Sequence, residues 1–259
     1  GASVWSRMDS VLLAELPWPE IEATFEYEPA TVVVPLGATE QHGPHLPLGT
    51  DTTIATELAR RVAHRLEHTL VAPPIPVGPS TEHESFPGTL SIPSRLLEDL
   101  LEEYVDSLAS HEVDRVVLLP AHGGSFPAVN AVVPTLAAET DIDLVAVSNL
   151  ERYMELLAEG LAESGIDIDE PVVHAGATET SLLLAIDPDA VRDDDLVAGY
   201  EDAVSPARLF NHGIDAYSSD GVLGDSRKAS ADAGEQLVDH VADADVGFIR
   251  EEFQALEGE

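Results

Sequence analysis

Three short segments of the sequence concentrate histidine, aspartate and glutamate, the side chains that bind catalytic metal ions. They read GATEQHGPHLPLGTD at residues 37–51, PAHGGS at residues 120–125 and HAGATETS at residues 174–181. Their candidate ligands are Glu40, His42, Asp51, His122 and Glu179. Imidazole nitrogen mixed with carboxylate oxygen suits zinc, manganese or iron, and the chain has no cysteine that could supply thiolate instead. The segments therefore predict a catalytic metal site.

A single histidine in a loop is more often an ordinary polar residue than a metal ligand. Taken one at a time, His45, His83 and His212 are better explained by structural roles. The set above is different, because several ligand-type residues follow predicted strands within a few positions of one another. Glycine lies beside each cluster, and it lets the backbone approach a metal ion or a substrate closely.

Two predicted β-strands lead directly into the first two segments. The runs TVVVPL, at residues 31–36, and DRVVLL, at residues 114–119, are apolar and rich in β-branched residues, which is typical of buried strands. Further extended stretches are predicted over residues 69–77 and 143–147. Helices are predicted over residues 52–66, 94–111, 127–138, 150–164, 175–185 and 230–242, with a second helical stretch near the C-terminus.

The alternation of apolar strands and helices predicts an α/β fold, a single three-layer α/β/α domain around a mostly parallel sheet. In such sheets ligands bind outside the carboxyl ends of the strands, where the segments at residues 37–51 and 120–125 lie. Residues 1–30 are predicted to form an N-terminal extension with a first helix, and residues 31–259 the catalytic domain. With 44% hydrophobic residues, a chain of 259 residues can bury a core of this size.

The chain is strongly negative, with 49 acidic residues against 12 basic ones and a net charge of −37. Such a surface repels nucleic acid and anionic membranes, so neither is expected as a partner. Two interpretations stay open: a surface for a cationic partner, or adaptation to concentrated salt, where charges are screened over about 3 Å at 1 M. We favour the second, a halophilic protein. No signal peptide and no apolar run of about 18 residues is evident, which predicts a cytoplasmic protein.

Five blocks of the sequence, in this order, resemble the creatininase family of metal-dependent amidohydrolases. The blocks are TEQHGPHLPLGTD (39–51), STEHESFPGTLSI (80–92), HGGS (122–125), HAGATETS (174–181) and GVLGDSRKASADAGEQL (221–237). The resemblance runs from about residue 32 to residue 247, most of the chain. It implies an enzyme that hydrolyses a carbon–nitrogen amide-type bond with a metal-bridging hydroxide.

The resemblance also implies which residues bind metal. Matched block by block, the family's ligands are Glu40, His42, Asp51 and His122. Asp51 is expected to bridge two divalent ions, with zinc preferred and manganese or iron as alternatives. Creatininase has a further glutamate ligand where this chain has Gly124, and the resemblance implies that Glu179 takes its place on the ion held by His42.

Other residues are expected to act on the substrate. His174 resembles the histidine that serves the family as acid and base in catalysis. Ser80, Glu82, His83 and Gly123 are candidates for the substrate rim. The resemblance further implies a homo-oligomer, commonly a hexamer in this family.

The substrate is expected to be a short peptide or a formamide rather than creatinine. Gly123 stands where creatininase has an aromatic side chain, and with Gly124 it is expected to leave an opening for a larger molecule. The tryptophans, Trp5 and Trp18, lie far from every motif. The sequences of several blocks most resemble those of the family's mycofactocin-system peptidases.

Two other classes of protein also have to be considered for this sequence. An inactive scaffold or binding protein that keeps this fold is disfavoured, since the ligands matched to the family are retained. A nucleotide-binding Rossmann protein would need a GxGxxG turn after a strand, and HGGS at residues 122–125 is not one.

Overall fold

A computed structural model describes residues 10–166, 170 and 172–258 of the chain. Its central sheet contains parallel strands in the order β2-β1-β3-β4. Their bounds are Thr31–Leu36 for β1, Thr69–Val71 for β2, Arg115–Pro120 for β3 and Asp143–Ala146 for β4. In register, Thr31 of β1 lies between Thr69 of β2 and Arg115 of β3. The predicted parallel α/β sheet is therefore confirmed.

The helices predicted over residues 52–66, 94–111, 127–138, 150–164 and 175–185 are confirmed to within about two residues at each end. The bounds of the helices are Trp18–Phe25 (α1), Thr50–Arg65 (α2), Ser94–Ala109 (α3), Phe126–Glu139 (α4), Leu150–Glu163 (α5), Ala177–Ile186 (α6), Pro206–His212 (α7) and Ala231–Glu257 (α8). Helix α1 is the first helix expected within residues 1–30. Residues 1–9, with Trp5, lie outside the described part of the chain. Within the described residues, no helix meets the length and apolarity that crossing a membrane requires.

Helices cover both faces of the sheet, which gives the three layers that the sequence predicted. Side chains alternate along a strand, so Val32 and Val34 of β1 face one side and Val33 the other. Val32 and Val34 pack in an apolar cluster with buried residues of α3 and α4. Val33 packs in a second cluster with α2, α5, α6 and α8. The core thus consists of two apolar layers separated by the sheet.

Two predicted elements differ from the structure. The extended stretch expected over residues 69–77 is a strand only as far as Val71, because the prolines that follow cannot donate to a sheet ladder. The helix expected to end near residue 242 continues to Glu257, starting from a cap in which Ser230 accepts from Ala233. Its apolar side continues through Val246, Ile249 and Phe253, whose burial outweighs the cost of Gly247 within the helix.

The strand order fixes where a ligand can bind. The chain runs from β1 outward to β2 on one side, then crosses back to β3 and β4 on the other. The crevice at the carboxyl ends of β1 and β3 therefore lies at the point where the winding reverses, which is the usual ligand site of such sheets.

Candidate metal centre

Buried histidine and carboxylate side chains converge at the carboxyl ends of β1 and β3. They fall into three groups whose ligand atoms lie within 4.8 Å of one another: Glu40 with Asp51 and His122, His42 with Asp51 and Glu179, and Glu40 with His42 and His174. All of these residues are buried. Asp51 belongs to the first two groups, so those groups adjoin each other. The structure thus brings together every ligand candidate that the sequence offered.

Two neighbouring elements hold the first ligands in place. Glu40 and His42 lie in the loop after β1, and Asp51 lies in the first turn of α2, where the helix dipole favours a carboxylate. The loop turns against that helix at Gly37, where an added Cβ would lie 2.3 Å from the Cα of Thr52. Glycine at this position is what allows the loop and the helix to meet so closely.

His42 is oriented by a contact with its own loop. Its Nδ1 donates to the carbonyl oxygen of Glu40 at 3.1 Å. The opposite ring nitrogen, Nε2, lies 3.2 Å from Oδ1 of Asp51 and 3.5 Å from Oε2 of Glu179. The neutral ring therefore presents a lone pair to two carboxylates. A partner on the far nitrogen is the usual arrangement of a metal-binding histidine.

His122 repeats this pattern after β3. Its Nε2 donates to the carbonyl oxygen of Pro79 at 2.7 Å, so Nδ1 carries the lone pair. That Nδ1 lies 3.4 Å from Oε2 of Glu40 and 3.3 Å from Oδ2 of Asp51. Both histidines are thus held by backbone carbonyls and directed at shared carboxylates.

The residues at this centre fit a bound cation. Within the described chain, the buried atoms Oε2 of Glu40, Nε2 of His42 and Oδ2 of Asp51 have no hydrogen-bond partner. Buried polar atoms are rarely left unpaired, and two lone pairs facing carboxylates repel unless a positive charge lies between them. A metal ion in each of the two groups that contain Asp51 would satisfy all three atoms.

The pKa shifts of the residues at the centre also favour a bound positive charge. Burial disfavours a charged ring at His122, but Glu40, Asp51 and the carbonyl of Pro79 together outweigh it and raise the pKa of His122 to about 10. Burial likewise opposes charge on His42, and Asp51 and Glu179 raise its pKa well above 6.5. Burial raises the pKa of Glu40 to about 7. The carboxylates thus attract positive charge, which a proton supplies when no metal ion is bound.

Glu179 and His174 approach the centre from the third segment. Oε2 of Glu179, in the first turn of α6, accepts from the backbone N–H of Ala175 at 2.6 Å. Nδ1 of His174 lies 3.7 Å from Oε1 of Glu40, and its ring centroid is 4.5 Å from that of His42. His174 therefore lies beside the candidate ligands, close enough to exchange protons with a group bound there.

A cavity of about 360 Å³ opens onto these residues. Three of the four predicted rim residues, Glu82, His83 and Gly123, line it. Ser80 is instead fully buried, with its Oγ 3.3 Å from Nε2 of His122, so it supports a histidine rather than the rim.

Both glycines after His122 line the cavity, but only Gly123 has open space where a side chain would lie. A Cβ at Gly123 would meet nothing within 4 Å. A Cβ at Gly124 would lie 2.1 Å from the carbonyl oxygen of Pro79, so this position is closed by the chain that His122 also contacts. Any larger side chain at Gly124 would require that loop to move.

Several residues of the site were not predicted. The outer wall of the cavity is apolar and includes Tyr153, Met154, Leu157, Leu209 and Phe210. Leu209 and Phe210 belong to α7, a short helix without a clear periodic signal. Gln41 was also missed, although its place between two ligand candidates in the sequence could have drawn attention to it.

Of the three histidines assigned structural roles from the sequence, His83 lines the cavity, whereas His45 and His212 do not. His45 is fully buried and its Nε2 lies 2.9 Å from Oγ1 of Thr180, next to the centre but turned away from it. Burial lowers its pKa to about 4, so it stays neutral. His212 is exposed at the end of α7.

Comparison with known proteins identifies a family to which this chain is similar. The family model described as creatininase, creatinine amidohydrolase, matches residues 14–249. A mycofactocin precursor peptide peptidase of Mycolicibacterium smegmatis is 42% identical over 213 residues, which cover 80% of this chain and 78% of that protein. The creatinine amidohydrolase of Pseudomonas putida is 30% identical over 261 residues, covering 94% of this chain and 98% of that protein.

A solved structure gives the same picture of the fold. The structure described as creatininase Mn matches with a TM-score of 0.80 at 28% sequence identity, covering 95% of this chain and 99% of that one. A manganese form of such a similar structure agrees with a divalent metal at the centre described above.

Proposed function

Because the chain belongs to the creatininase family, we propose that it hydrolyses an amide bond of a short peptide with the help of two divalent metal ions. The comparisons confirm the family resemblance and, with it, a hydrolase of carbon–nitrogen bonds. The observation that carries the proposal is the pair of buried ligand groups that share Asp51 and contain unpartnered atoms. An inactive scaffold would have no reason to keep so costly an arrangement of charges.

Each of the two ions would be held by one of the two ligand groups that contain Asp51. Glu40, Asp51 and His122 would hold one ion, and His42, Asp51 and Glu179 the other. Nitrogen and carboxylate ligands of this kind suit zinc first, with manganese or iron as alternatives. When bound, such ions supply a water of lowered pKa and polarise a carbonyl oxygen.

The protein's own residues supply proton transfer and binding. His174 is buried beside the centre, where it can hold a proton for the leaving nitrogen. Glu82, His83 and Gly123 line the cavity, where they can contact the substrate. The apolar wall excludes water from the site and gives an apolar substrate group a surface to pack on.

The cavity supports a peptide better than a nucleotide-like formamide or creatinine. Among the described residues that line it there is no lysine or arginine, which a phosphate group would need. Phe210 is 66% exposed at the rim and offers contact to a substrate that extends out of the cavity. The Mycolicibacterium smegmatis relative bears the name of a precursor peptide peptidase, and the same substrate class fits this chain.

A side-by-side assay tests the proposal. Zinc-loaded, manganese-loaded and iron-loaded protein would be incubated with a short precursor peptide, a formamidopyrimidine nucleotide and creatinine. We expect metal-dependent cleavage of the peptide and poor turnover of creatinine. Faster turnover of either small substrate would contradict the peptide assignment. Metal binding without turnover of any substrate would favour the inactive scaffold.

We also propose a homo-oligomer, in keeping with the hexamers common in the family. Trp18 is 71% exposed and Leu90 is 60% exposed, although large apolar side chains are usually buried. Light scattering after size-exclusion chromatography would give the number of chains, and a monomer at micromolar concentration would contradict this proposal.

A further inference from the structure

The side chain of Gln41 is buried between two histidines that face the candidate metal centre. It is 4% exposed, and its amide contacts His83, His174 and the backbone of Gly221. A Cβ at Gly221 would be 2.0 Å from its Oε1, so glycine there makes room for this amide.

The orientation of the Gln41 amide is fixed by the backbone. Its Oε1 accepts from the N–H of Gly43 at 2.9 Å, and its Nε2 donates to the carbonyl oxygen of Gly221 at 3.1 Å. Turning the amide over would place two donors together at Gly43 and two acceptors together at Gly221. The amide nitrogen therefore has one hydrogen left to donate.

Two ring nitrogens are within reach of that hydrogen. Nδ1 of His83 lies 3.0 Å from the amide nitrogen, and Nε2 of His174 lies 2.9 Å from it. Nε2 of His174 is also 2.9 Å from the backbone carbonyl oxygen of Gln41, which can only accept. One pattern gives both carbonyls and both amide hydrogens a partner: His174 donates from Nε2 to the carbonyl of Gln41, and the amide donates to Nδ1 of His83.

We propose that Gln41 is a positioning residue that sets which ring nitrogen is protonated in both His83 and His174. In this pattern His174 carries its hydrogen on Nε2, and its unprotonated Nδ1 faces Oε1 of Glu40 at 3.7 Å, on the side of the candidate metal centre. His83 likewise carries its hydrogen on Nε2, which lies 3.6 Å from the same carboxylate oxygen.

This arrangement gives His174 a defined role in turnover, a part of the inference that rests on the proposed function. In this tautomer Nδ1 of His174 could take up a proton on the side of the centre and hold it for the leaving nitrogen. A ring protonated on Nδ1 from the start could not take up that proton.

Nuclear magnetic resonance of the histidine rings tests the inference without any substrate. In protein labelled with ¹⁵N at histidine, each tautomer gives a distinct pair of ring-nitrogen shifts. Spectra would be recorded for the metal-free and the zinc-loaded protein, with His83 and His174 assigned from the His83→Asn and His174→Asn variants. We expect both rings to carry the hydrogen on Nε2 in the wild type.

Gln41→Met keeps the length of the side chain and removes its hydrogen bonds. In this variant we expect His83 to lose its single tautomer. His174 should keep its hydrogen on Nε2, because the backbone carbonyl of residue 41 remains, so kcat should fall less than in His174→Ala and metal content should change little. In Gln41→Glu, which can only accept, His83 should move its hydrogen to Nδ1; this variant gives a second test if Gln41→Met does not fold.

Thr69→Val is the matched control, since Thr69 is fully buried and donates one hydrogen bond to Glu67 far from the centre. It should leave the ring signals and kcat unchanged. Identical ring signals in the wild type and both Gln41 variants would overturn the inference, as would a hydrogen on Nδ1 of His174 in the wild type. Absence of turnover with every substrate would contradict the proposed function and leave the ring signals to decide on Gln41.

Discussion

Replacing Asp51 with asparagine should abolish binding of both metal ions, whereas His42→Ala and His122→Ala should each remove one. The reason is geometric: Asp51 belongs to both ligand groups, and each histidine belongs to one of them. Oδ1 of Asp51 lies 3.2 Å from His42 and Oδ2 lies 3.3 Å from His122, so each carboxylate oxygen serves a different group. An amide keeps the shape of the carboxylate but loses its charge and one acceptor oxygen.

The size of the effect follows from linkage between binding and folding. An ion that binds only the folded chain stabilises it by about 2.7 kcal/mol when its free concentration is 100 times Kd. Two ions would therefore add about 5 kcal/mol. In a chain of this length about 1 kcal/mol shifts Tm by about 2–4 °C, so zinc should raise the wild-type Tm by about 10–20 °C. We expect about half that rise in His42→Ala and His122→Ala, and almost none in Asp51→Asn.

Thermal melting with and without zinc, together with elemental analysis after dialysis, measures both quantities. Asp143→Asn serves as the control, because that carboxylate lies at the start of β4, at the opposite end of the sheet, and should keep the full rise. Two ions per chain in Asp51→Asn, or an unchanged rise in its Tm, would refute the shared-ligand model. So would the loss of both ions in His42→Ala.

Four further expectations follow from the same geometry. Glu179→Gln should lose the ion shared with His42 and keep the other; unchanged metal content and activity would make Glu179 a structural residue. His174→Ala should keep both ions and lose about 10²–10⁴-fold in rate, whereas loss of metal would make His174 a ligand. Gly123→Ala should leave Tm unchanged, and Gly124→Ala should lower it, because the added Cβ would lie 2.1 Å from Pro79; equal melting of the two variants would contradict this packing. With a net charge of −37, Tm should rise between about 0.1 M and molar potassium chloride as the Debye length falls from about 10 Å to 3 Å, and a flat Tm would argue against salt adaptation.

The sheet and the ligand candidates were predictable because they depend on local sequence patterns. Apolar runs such as Thr31–Leu36 mark buried strands, and the parallel-sheet rule places the loops after them at one edge. Polar residues that follow two such runs lie near each other when the two strands are neighbours in the sheet. The structure pairs β1 with β3, and this pairing brings Glu40 and His122 together.

Other features depend on contacts between distant parts of the chain and left no local signal. Ser80 appeared to be a rim residue, but the loop that carries it turns inward so that Pro79 can accept from His122. The wall supplied by α7 comes from a seven-residue helix that is stabilised by packing rather than by its own periodicity. The role of Gln41 requires the positions of Gly221 and His174, which are far away in sequence.

The two proposed ion sites share Asp51, and the order of synthesis determines which of them is complete first. The group of Glu40, Asp51 and His122 is encoded before β4, but the second group is incomplete until Glu179 in α6 has been made. At about 5–20 residues per second, a ribosome reaches Glu179 several seconds after His122. A nascent chain would therefore complete the proposed site for the first ion before the proposed site for the second, whose occupancy would report that α6 has joined the fold.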